Sequence, residues 1–142
     1  MSACIRVRSV ERDTVGRRRS CCHAMHVGLI IKSRWEARCE VVTVAGEIDA
    51  STAAPLLAEF DALIEAGGAY VVVDMSAVSF CGSTGLTVLI VTHKRLAADG
   101  GWLRVAAPTQ QVRKAIELTG LNDVVATYPD VASAMAAVEA GI

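Results

Sequence analysis

Two adjacent hydroxyl residues, Ser83 and Thr84, have the type and spacing that could do chemistry in this sequence. Glycines stand on both sides of the pair, an apolar run typical of a β-strand precedes it, and an apolar helical pattern follows over residues 86–96. The pair is therefore predicted to lie in the first turn of a helix. A hydroxyl there either caps the helix or lies where a phosphate is accommodated, because the first N–H groups of a helix have no intrahelical acceptor.

Nucleophilic catalysis by Ser83 is not supported by the surrounding residues. The order G-S-T-G at residues 82–85 differs from the G-x-S-x-G pattern that exposes a serine nucleophile at a strand-to-helix turn. The histidines offer no general base, because His23 and His26 lie in or beside a basic N-terminal segment and His93 lies within a predicted helix. We therefore predict no catalytic residue, no cofactor and a protein that is not an enzyme.

Glu47 and Asp49 form a carboxylate pair at the end of a predicted strand. Paired carboxylates can act as general acid and base on a glycoside, but nothing in the sequence predicts a substrate cleft. We expect the pair to be solvated. Asp49, Ser51 or Thr52 can also cap the helix that follows.

The composition describes one domain with an aliphatic core. The chain has 142 residues, of which 53% are hydrophobic and only 4% aromatic, which is long enough to bury a core. Six arginines against two acids give residues 1–25 a charge of +4, and the remaining residues carry −5. This larger part has no excess of positive charge for a nucleic-acid backbone. No apolar run approaches the length of about 20 residues that a membrane span needs. We expect neither nucleic acid nor a membrane span.

The five cysteines are odd in number and have no CxxC spacing, which argues against a disulfide scaffold and a zinc site. The adjacent Cys21 and Cys22, close to His23 and His26, leave metal binding as an alternative. Our expectation is an exposed N-terminal segment without metal, in a reduced, cytoplasmic protein.

Residues 1–24 are predicted to be a basic, disordered extension, since they show no sustained period of two or 3.6 residues. They contain no apolar stretch of the kind found in a secretory signal. Met25 precedes the first clear strand pattern and is an alternative start of translation. A basic arm that contacts RNA or a membrane is a further alternative. The folded domain is expected over residues 25–142.

Strand and helix patterns alternate along that domain. Strands are predicted at residues 26–33, 39–45, 69–75, 102–106 and 124–128, and the last three each follow a helical pattern. The first two strands can form a hairpin, whereas a strand that follows a helix predicts a parallel crossover. We therefore expect an α/β fold with a mixed, mostly parallel sheet of about five strands and about four α-helices packed mainly on one side.

From about Met25 to the C-terminus, the sequence resembles a STAS domain of the bacterial anti-sigma factor antagonist type. Three blocks carry the resemblance: V-A-G-E-I-D at residues 44–49, V-V-V-D-M-S at residues 71–76, and F-C-G-S-T-G-L at residues 80–86. The family pattern in the third block is approximately D-S-[ST]-G-L. The predicted order of strands and helices is also that of the family.

The resemblance implies a regulator that works by switching partners. In this family the unphosphorylated antagonist binds an anti-sigma factor that is also a serine kinase of the GHKL ATPase type, and the sigma factor is released for transcription, as in a stress response. The kinase then phosphorylates the first hydroxyl of the motif, which aligns with Ser83. The phosphorylated antagonist dissociates, and a phosphatase, which we expect to be of the PP2C type, resets it.

The resemblance also assigns supporting residues. Thr84 aligns with a hydroxyl that supports the turn, Gly85 with the motif glycine, and Asp49 with an acidic residue beside the phosphorylation site. The residues expected to contact the partner are Leu86, Glu47, Asp49 and Ser83.

Gly82, which precedes the expected phosphoacceptor, departs from the family pattern, where Asp is common. An acid there would repel a phosphate and help to position the hydroxyl. Some STAS modules are never phosphorylated. The alternative is therefore an unphosphorylated docking module of another complex, such as a lipid-transport ATPase or a stress-sensing assembly.

Overall fold

The computed structural model describes the backbone of residues 5–12, 18–26, 28–36 and 38–139, and the side chains of residues 28–36 and 38–136. The described residues form seven strands, four α-helices and one 3₁₀ turn. In chain order these are β1 (Ile5–Arg12), β2 (Arg18–His26), β3 (Leu29–Glu36), β4 (Cys39–Ile48), α1 (Ala53–Glu65), β5 (Tyr70–Cys81), α2 (Ser83–Ala98), β6 (Trp102–Ala106), α3 (Gln110–Thr119), the 3₁₀ turn (Leu121–Asp123), β7 (Thr127–Tyr128) and α4 (Val131–Glu139).

The strands lie side by side in chain order in one sheet. From β3 to β7 the sheet is mixed: β3 and β4 form an antiparallel hairpin, and β4 to β7 are parallel neighbours. This part confirms the predicted five-stranded, mostly parallel sheet. The parallel strands require helical crossovers, because a short turn joins only antiparallel neighbours.

Two further strands extend the sheet beyond the predicted five. β2 pairs antiparallel with β3, from Cys22↔Ser33 to His26↔Leu29, and β1 pairs antiparallel with β2. The sequence predicts a disordered extension here, and the structure differs over residues 5–12 and 18–24. Open N–H and C=O groups on the outer edge of β3 can pair with any extended segment, whatever its periodicity. A domain boundary at residue 25 stays a prediction, and the side chains of the Cys21–Cys22 pair lie outside the described residues.

The helices are divided unequally between the two faces of the sheet. Helices α1, α2 and α3 pack on one face and α4 packs on the other, as predicted for helices lying mainly on one side. The larger core includes Val42, Val44, Val73, Leu56, Phe60, Leu89 and Ile116. The smaller core includes Val41, Val72, Ala106 and Ala134. Successive strand residues alternate between the two cores because side chains in a strand point to opposite faces.

Arg104 anchors α4 to its face of the sheet. The Arg104 side chain is buried, and its guanidinium donates a hydrogen bond to the Ala134 carbonyl of α4 at 2.9 Å. The guanidinium carbon also lies 3.7 Å from the ring centroid of Trp102 and 5.4 Å from that of Tyr128. These ring contacts offset part of the cost of burying the charge.

Strand β5 is longer than predicted, because it continues past the apolar run to Cys81. The β4–β5 pairing has register shifts between Thr43 and Ala45 and between Gly46 and Glu47, and at each shift β5 contains one extra residue. The two strands therefore stay paired to their ends. Gly46 has a φ of +118°, and a Cβ there would lie 2.0 Å from the Gly28 carbonyl oxygen. Only glycine fits at position 46. At the other edge β7 is shorter than predicted, because the N–H groups of Val124 and Val125 both donate to the Leu121 carbonyl and these residues remain in a turn.

Glu40 of β4 gives the fold a testable pH dependence. Among the described residues its Oε2 atom is buried without a hydrogen-bond partner, and burial raises the pKa of this carboxyl from 4.5 to about 7. The folded state therefore favours the protonated form. The protonated Glu40 carboxyl therefore contributes to the free energy of unfolding. This contribution is complete below the pKa of the unfolded chain, near 4.5, and is lost as the pH rises through the folded-state pKa of about 7.

We predict that the wild-type protein loses stability between about pH 5 and pH 8 and that Glu40→Gln removes much of this loss. The measurement is the free energy of unfolding in urea at a series of pH values. Glu65→Gln, at an exposed position of α1, is the matched control and keeps the wild-type profile. Parallel profiles for the wild type and Glu40→Gln would contradict the prediction.

Candidate functional site

The carboxyl ends of β4 and β5 form one edge of the sheet and position the expected site residues. Ile48 and Cys81 are register partners at these ends, and the Gly82 N–H donates a hydrogen bond to the Ile48 carbonyl at 2.9 Å. Asp49 follows Ile48 in the chain, and Ser83 follows Gly82. The structure therefore brings the block at residues 46–49 to the turn at residues 80–85, at the kind of edge where α/β sheets bind ligands.

Ser83 is the first residue of α2 and does not cap it. The N-cap residue is Gly82, and the first helical bond runs from the Leu86 N–H to the Gly82 carbonyl at 3.1 Å. Ser83 and Thr84 are exposed, and neither hydroxyl has a hydrogen-bond partner among the described residues. Capping, one of the two sequence interpretations of this pair, is therefore wrong. Both hydroxyls are accessible from solution.

The start of α2 favours a negative charge on Ser83. The N–H groups that precede Leu86 in this helix have no intrahelical acceptor, and the helix dipole places positive potential at this end. The first turn of α2 contains no acidic residue. A phosphate on Ser83, with a charge of about −1.5 to −2, would meet favourable backbone groups there.

Asp49 orders the turn between β4 and α1. Its Oδ1 accepts hydrogen bonds from the Ser51 hydroxyl at 2.6 Å, the Ser51 N–H at 2.9 Å and the Thr52 N–H at 3.2 Å. The bond from the Ser51 hydroxyl is the largest cause of a lowered Asp49 pKa. This carboxylate therefore supports the local backbone, and its expected role beside the phosphorylation site stays a prediction.

Glu47 lies on the surface of the same edge. Its side chain is exposed, and it is the register partner of Phe80 in the β4–β5 pair. The Glu47 N–H donates to the Gly28 carbonyl at 3.1 Å, and its own carbonyl accepts from the Thr52 hydroxyl at 2.9 Å. The backbone at Glu47 is thus fixed while its carboxylate faces solvent. Contact with a partner stays a prediction.

Leu86 is not available as a contact residue. It is only 5% exposed and belongs to the larger core, which corrects the sequence prediction that it meets a partner. The first half of α2 is apolar on every side, so periodicity does not show which side faces the sheet.

Phe80 is the exposed apolar residue that the sequence prediction missed at this edge. Half of this residue, 50%, is accessible to solvent. One sequence signal could have predicted this exposure. Phe80 lies among small residues after the continuous apolar run has ended, where side chains are no longer buried on both faces of the sheet.

Gly85 permits the close approach of α2 to the strand ends. A Cβ at this position would lie 2.5 Å from Cγ2 of Ile48 and 2.8 Å from Sγ of Cys81. Burial raises the pKa of the Cys81 thiol to about 11, so the thiol is protonated at neutral pH and acts as a packing group.

Two observations away from this edge concern other kinds of site. His93 Nδ1 accepts a hydrogen bond from the Leu103 N–H at 3.2 Å, so this nitrogen is engaged with the backbone of β6. Within the part of the chain that the structure describes, no helix has the length and apolar character needed to cross a membrane.

Together these features define a small α/β domain whose candidate site is the exposed edge at the start of α2. Residues 34–134, which include all the expected site residues, match the STAS domain family. The chain belongs to the STAS domain family.

Its relatives include bacterial anti-sigma factor antagonists. The chain is 33% identical over 84 residues to an anti-sigma-B factor antagonist of Bacillus subtilis, covering 59% of this chain and 76% of that protein. An anti-sigma factor antagonist from Mycobacterium paratuberculosis, solved by crystallography, is 34% identical with a TM-score of 0.73, covering 78% of this chain and 94% of that one.

A more distant structural relative shares the fold alone. The anti-sigma factor antagonist SpoIIAA in its unphosphorylated form is 21% identical, with a TM-score of 0.67, over 79% of this chain and 97% of that chain. The Bacillus cell fate determinant SpoIIAA in its phosphorylated form has a TM-score of 0.57 at 20% identity, over 72% of this chain and 93% of that chain.

The free hydroxyl of Ser83 predicts that its removal leaves stability unchanged. Ser83→Ala is expected to change the free energy of unfolding by less than about 0.5 kcal/mol, because no hydrogen bond is lost. Asp49→Ala, which removes the acceptor of four hydrogen bonds, lowers the free energy of unfolding more. Urea denaturation of both variants is the measurement. A loss of about 1 kcal/mol or more for Ser83→Ala would show that the hydroxyl caps α2 after all.

Gly85→Ala is predicted to destabilise the domain by about 1–3 kcal/mol, because its methyl group would overlap Ile48 and Cys81. The matched control in the same turn is Gly82→Ser. A Cβ at Gly82 would lie 3.3 Å from the end of the Phe80 ring and 3.7 Å from the Ile48 carbonyl oxygen, and Ser is a favoured N-cap residue. Thermal unfolding compares the two variants. Equal melting temperatures for Gly85→Ala and the wild type would rule out the packing role.

Proposed function

We propose that this protein is an anti-sigma factor antagonist, which binds an anti-sigma factor at the edge formed by residues 46–49 and 80–84 and so releases a sigma factor. One observation carries the proposal: the Ser83 hydroxyl is exposed and free at the start of α2 in a STAS domain. The anti-sigma factor antagonists among its relatives support it. This role places the protein in the bacterial cytoplasm, where transcription occurs.

The proposed partner is an anti-sigma factor with a GHKL-type serine kinase domain, and Ser83 is the proposed phosphoacceptor. An accessible hydroxyl without a structural hydrogen bond can be modified without loss of a fold contact. The positive end of α2 would stabilise the product. The phosphorylated form of SpoIIAA, which has the same fold, supports this assignment. A PP2C-type phosphatase would reverse the modification.

Phosphorylation would break the complex by changing the contact surface and not by unfolding the domain. A partner packed over Ser83 would have to desolvate about −1.5 to −2 charges or move away. Leu86 and Leu89 are buried in the core, whereas Ser83 is exposed, so the charge would be added at the surface. The chain itself catalyses no step: the kinase and the phosphatase supply the chemistry, and Ser83 is a substrate.

Gly82 is the observation that favours a second function, an unphosphorylated docking module of a lipid-transport ATPase or a stress-sensing assembly. Its φ of −79° and ψ of 179° are extended backbone that any residue adopts. The local fold therefore does not require glycine here, and the acid common in the family is absent for a reason other than backbone geometry.

The test of the switch is to mix the protein with each purified anti-sigma factor of the same genome, with and without ATP. Intact-mass spectrometry and size-exclusion chromatography follow the mixture. We expect a complex without ATP, followed by one phosphate on Ser83 and dissociation. Thr84→Ala still becomes phosphorylated, whereas Ser83→Ala binds without modification. Ser83→Asp weakens binding about tenfold or more, equal to about 1.4 kcal/mol, with stability changed by less than about 1 kcal/mol.

Two outcomes would separate the alternatives. A tight complex that carries no phosphate on Ser83 after incubation with ATP would reject the switch and keep the antagonist. Binding to no anti-sigma factor, together with capture by a transport or stress-sensing complex, would favour the docking module.

A further inference from the structure

Phe80 stands out among the exposed apolar residues of the described chain. The large hydrophobic residues that are exposed there are Ile30, Phe80, Val91, Leu118 and Val124. Phe80 is the one aromatic residue among these five, and it lies three residues before Ser83. Val91 follows Ser83 by two helical turns, about 12 Å along the axis of α2. An aromatic ring thus lies next to the proposed phosphorylation site.

The ring of Phe80 lies over Gly82. Its Cε1 atom is 3.3 Å, and its Cζ atom 3.6 Å, from the place where a Cβ of Gly82 would stand. The end of the ring therefore fills the space beside the N-cap of α2, directly before Ser83. A side chain at position 82 would compete with the ring for this space. The extended backbone at Gly82 is open to any residue. The absence of a side chain therefore affects the position of the Phe80 ring and not the local backbone conformation.

An exposed aromatic ring in such a place has the properties of an interface anchor. Aromatic residues carry much of the energy of protein–protein interfaces, because they bury a large area with few rotatable bonds. The half of Phe80 already packed in the protein holds the ring in place, and the other half remains for a partner to cover. The predicted anchor Leu86 is buried and cannot supply this contact.

We propose that Phe80 is the apolar anchor for the anti-sigma factor and that the pair of Phe80 and Gly82 selects which anti-sigma factor binds. The inference rests on the proposed function and deepens it. The partner that fits has an apolar pocket for the ring. Another partner could have a polar group placed to pair with an acid at position 82. Against this protein, that group would face the aromatic ring and remain without a hydrogen bond, which costs binding free energy.

The same pair explains how phosphorylation can act without an acid at position 82. A phosphate on Ser83 would stand beside the pocket that receives the ring. A charge placed in an apolar interface must be desolvated, and this disrupts the interface. The apolar character of the contact therefore supplies the penalty that releases the partner.

The experiment measures the Kd of the full chain and its variants for the anti-sigma factor that the wild type binds, by isothermal titration calorimetry. Phe80→Ala is expected to raise the Kd about 30-fold or more, equal to about 2 kcal/mol. Phe80→Leu, which keeps an apolar side chain, recovers part of this loss. The control Leu118→Ala removes an apolar residue that is 79% exposed and leaves the Kd within about twofold. Melting temperatures establish that each variant is folded.

A double-mutant cycle tests the pairing. With Phe80 present, Gly82→Asp should weaken binding, because the new side chain displaces the ring. In the Phe80→Ala variant, the same change should have a much smaller effect. The two changes are expected to be coupled by about fivefold or more. The same cycle is run against the other anti-sigma factors of the genome, where Gly82→Asp should strengthen binding to at least one that the wild type rejects.

The outcomes distinguish the inference from the function on which it rests. Unchanged binding by Phe80→Ala, with the wild type still bound, would overturn the anchor and leave the antagonist in place. Additive effects in the cycle would overturn the pairing. A wild type that binds no anti-sigma factor would overturn the proposed function and the inference together. If Phe80→Ala unfolds, Phe80→Leu and Gly82→Asp carry the test.

Discussion

The hydrogen bond from the Gly82 N–H to the Ile48 carbonyl holds the whole site in place. It joins the last residue of β4 to the residue that precedes α2, so the turn after one strand cannot move without the end of the other. Gly85 reinforces this contact, since its missing Cβ lets α2 approach Ile48 and Cys81. This junction also sets the position of Ser83, which is the next residue in the chain. Ser83 begins α2, and its side chain is exposed to solvent.

This junction depends in turn on irregularities farther back in the sheet. Two register shifts between β4 and β5, each with an extra residue in β5, allow the last residues of the two strands to stay paired. One of these shifts contains Gly46, which contacts the Gly28 carbonyl at the start of β3. The turn after β4 is then closed by the Asp49 carboxylate, which holds the backbone of Ser51 and Thr52. These contacts fix the backbone around the site, while the exposed hydroxyls of Ser83 and Thr84 hold no structural bond.

Periodicity predicts the elements of this fold well because strands and helices bury residues at different intervals. The hairpin, the parallel strands and most of the helices are predicted by this periodicity. Contacts between segments that are distant in the sequence are not predicted by it. The length of β5 depends on its own bulges, which keep it paired with β4. The N-terminal strands depend on an open sheet edge. The start of α2 depends on one hydrogen bond, so the sequence did not separate a capping Ser83 from a free one. The burial of Leu86 depends on which side of the apolar helix α2 meets the sheet. The exposure of Phe80 goes with the register shift near the end of β5.

The residues of the site differ in how freely their chemistry can change. Gly46 and Gly85 are required by close contacts, and Asp49 is required by its turn, so substitutions there act on the fold. Ser83 and Thr84 are under no such constraint, because their hydroxyls are unbonded. The Gly82 backbone suits any residue, and a side chain there would first meet the end of the Phe80 ring. A charge can therefore be added at Ser83 with little effect on the core. A rigid edge that carries a few structurally free positions has the properties that a reversible binding switch requires, since modification changes the surface that a partner meets and leaves the domain ready to bind again.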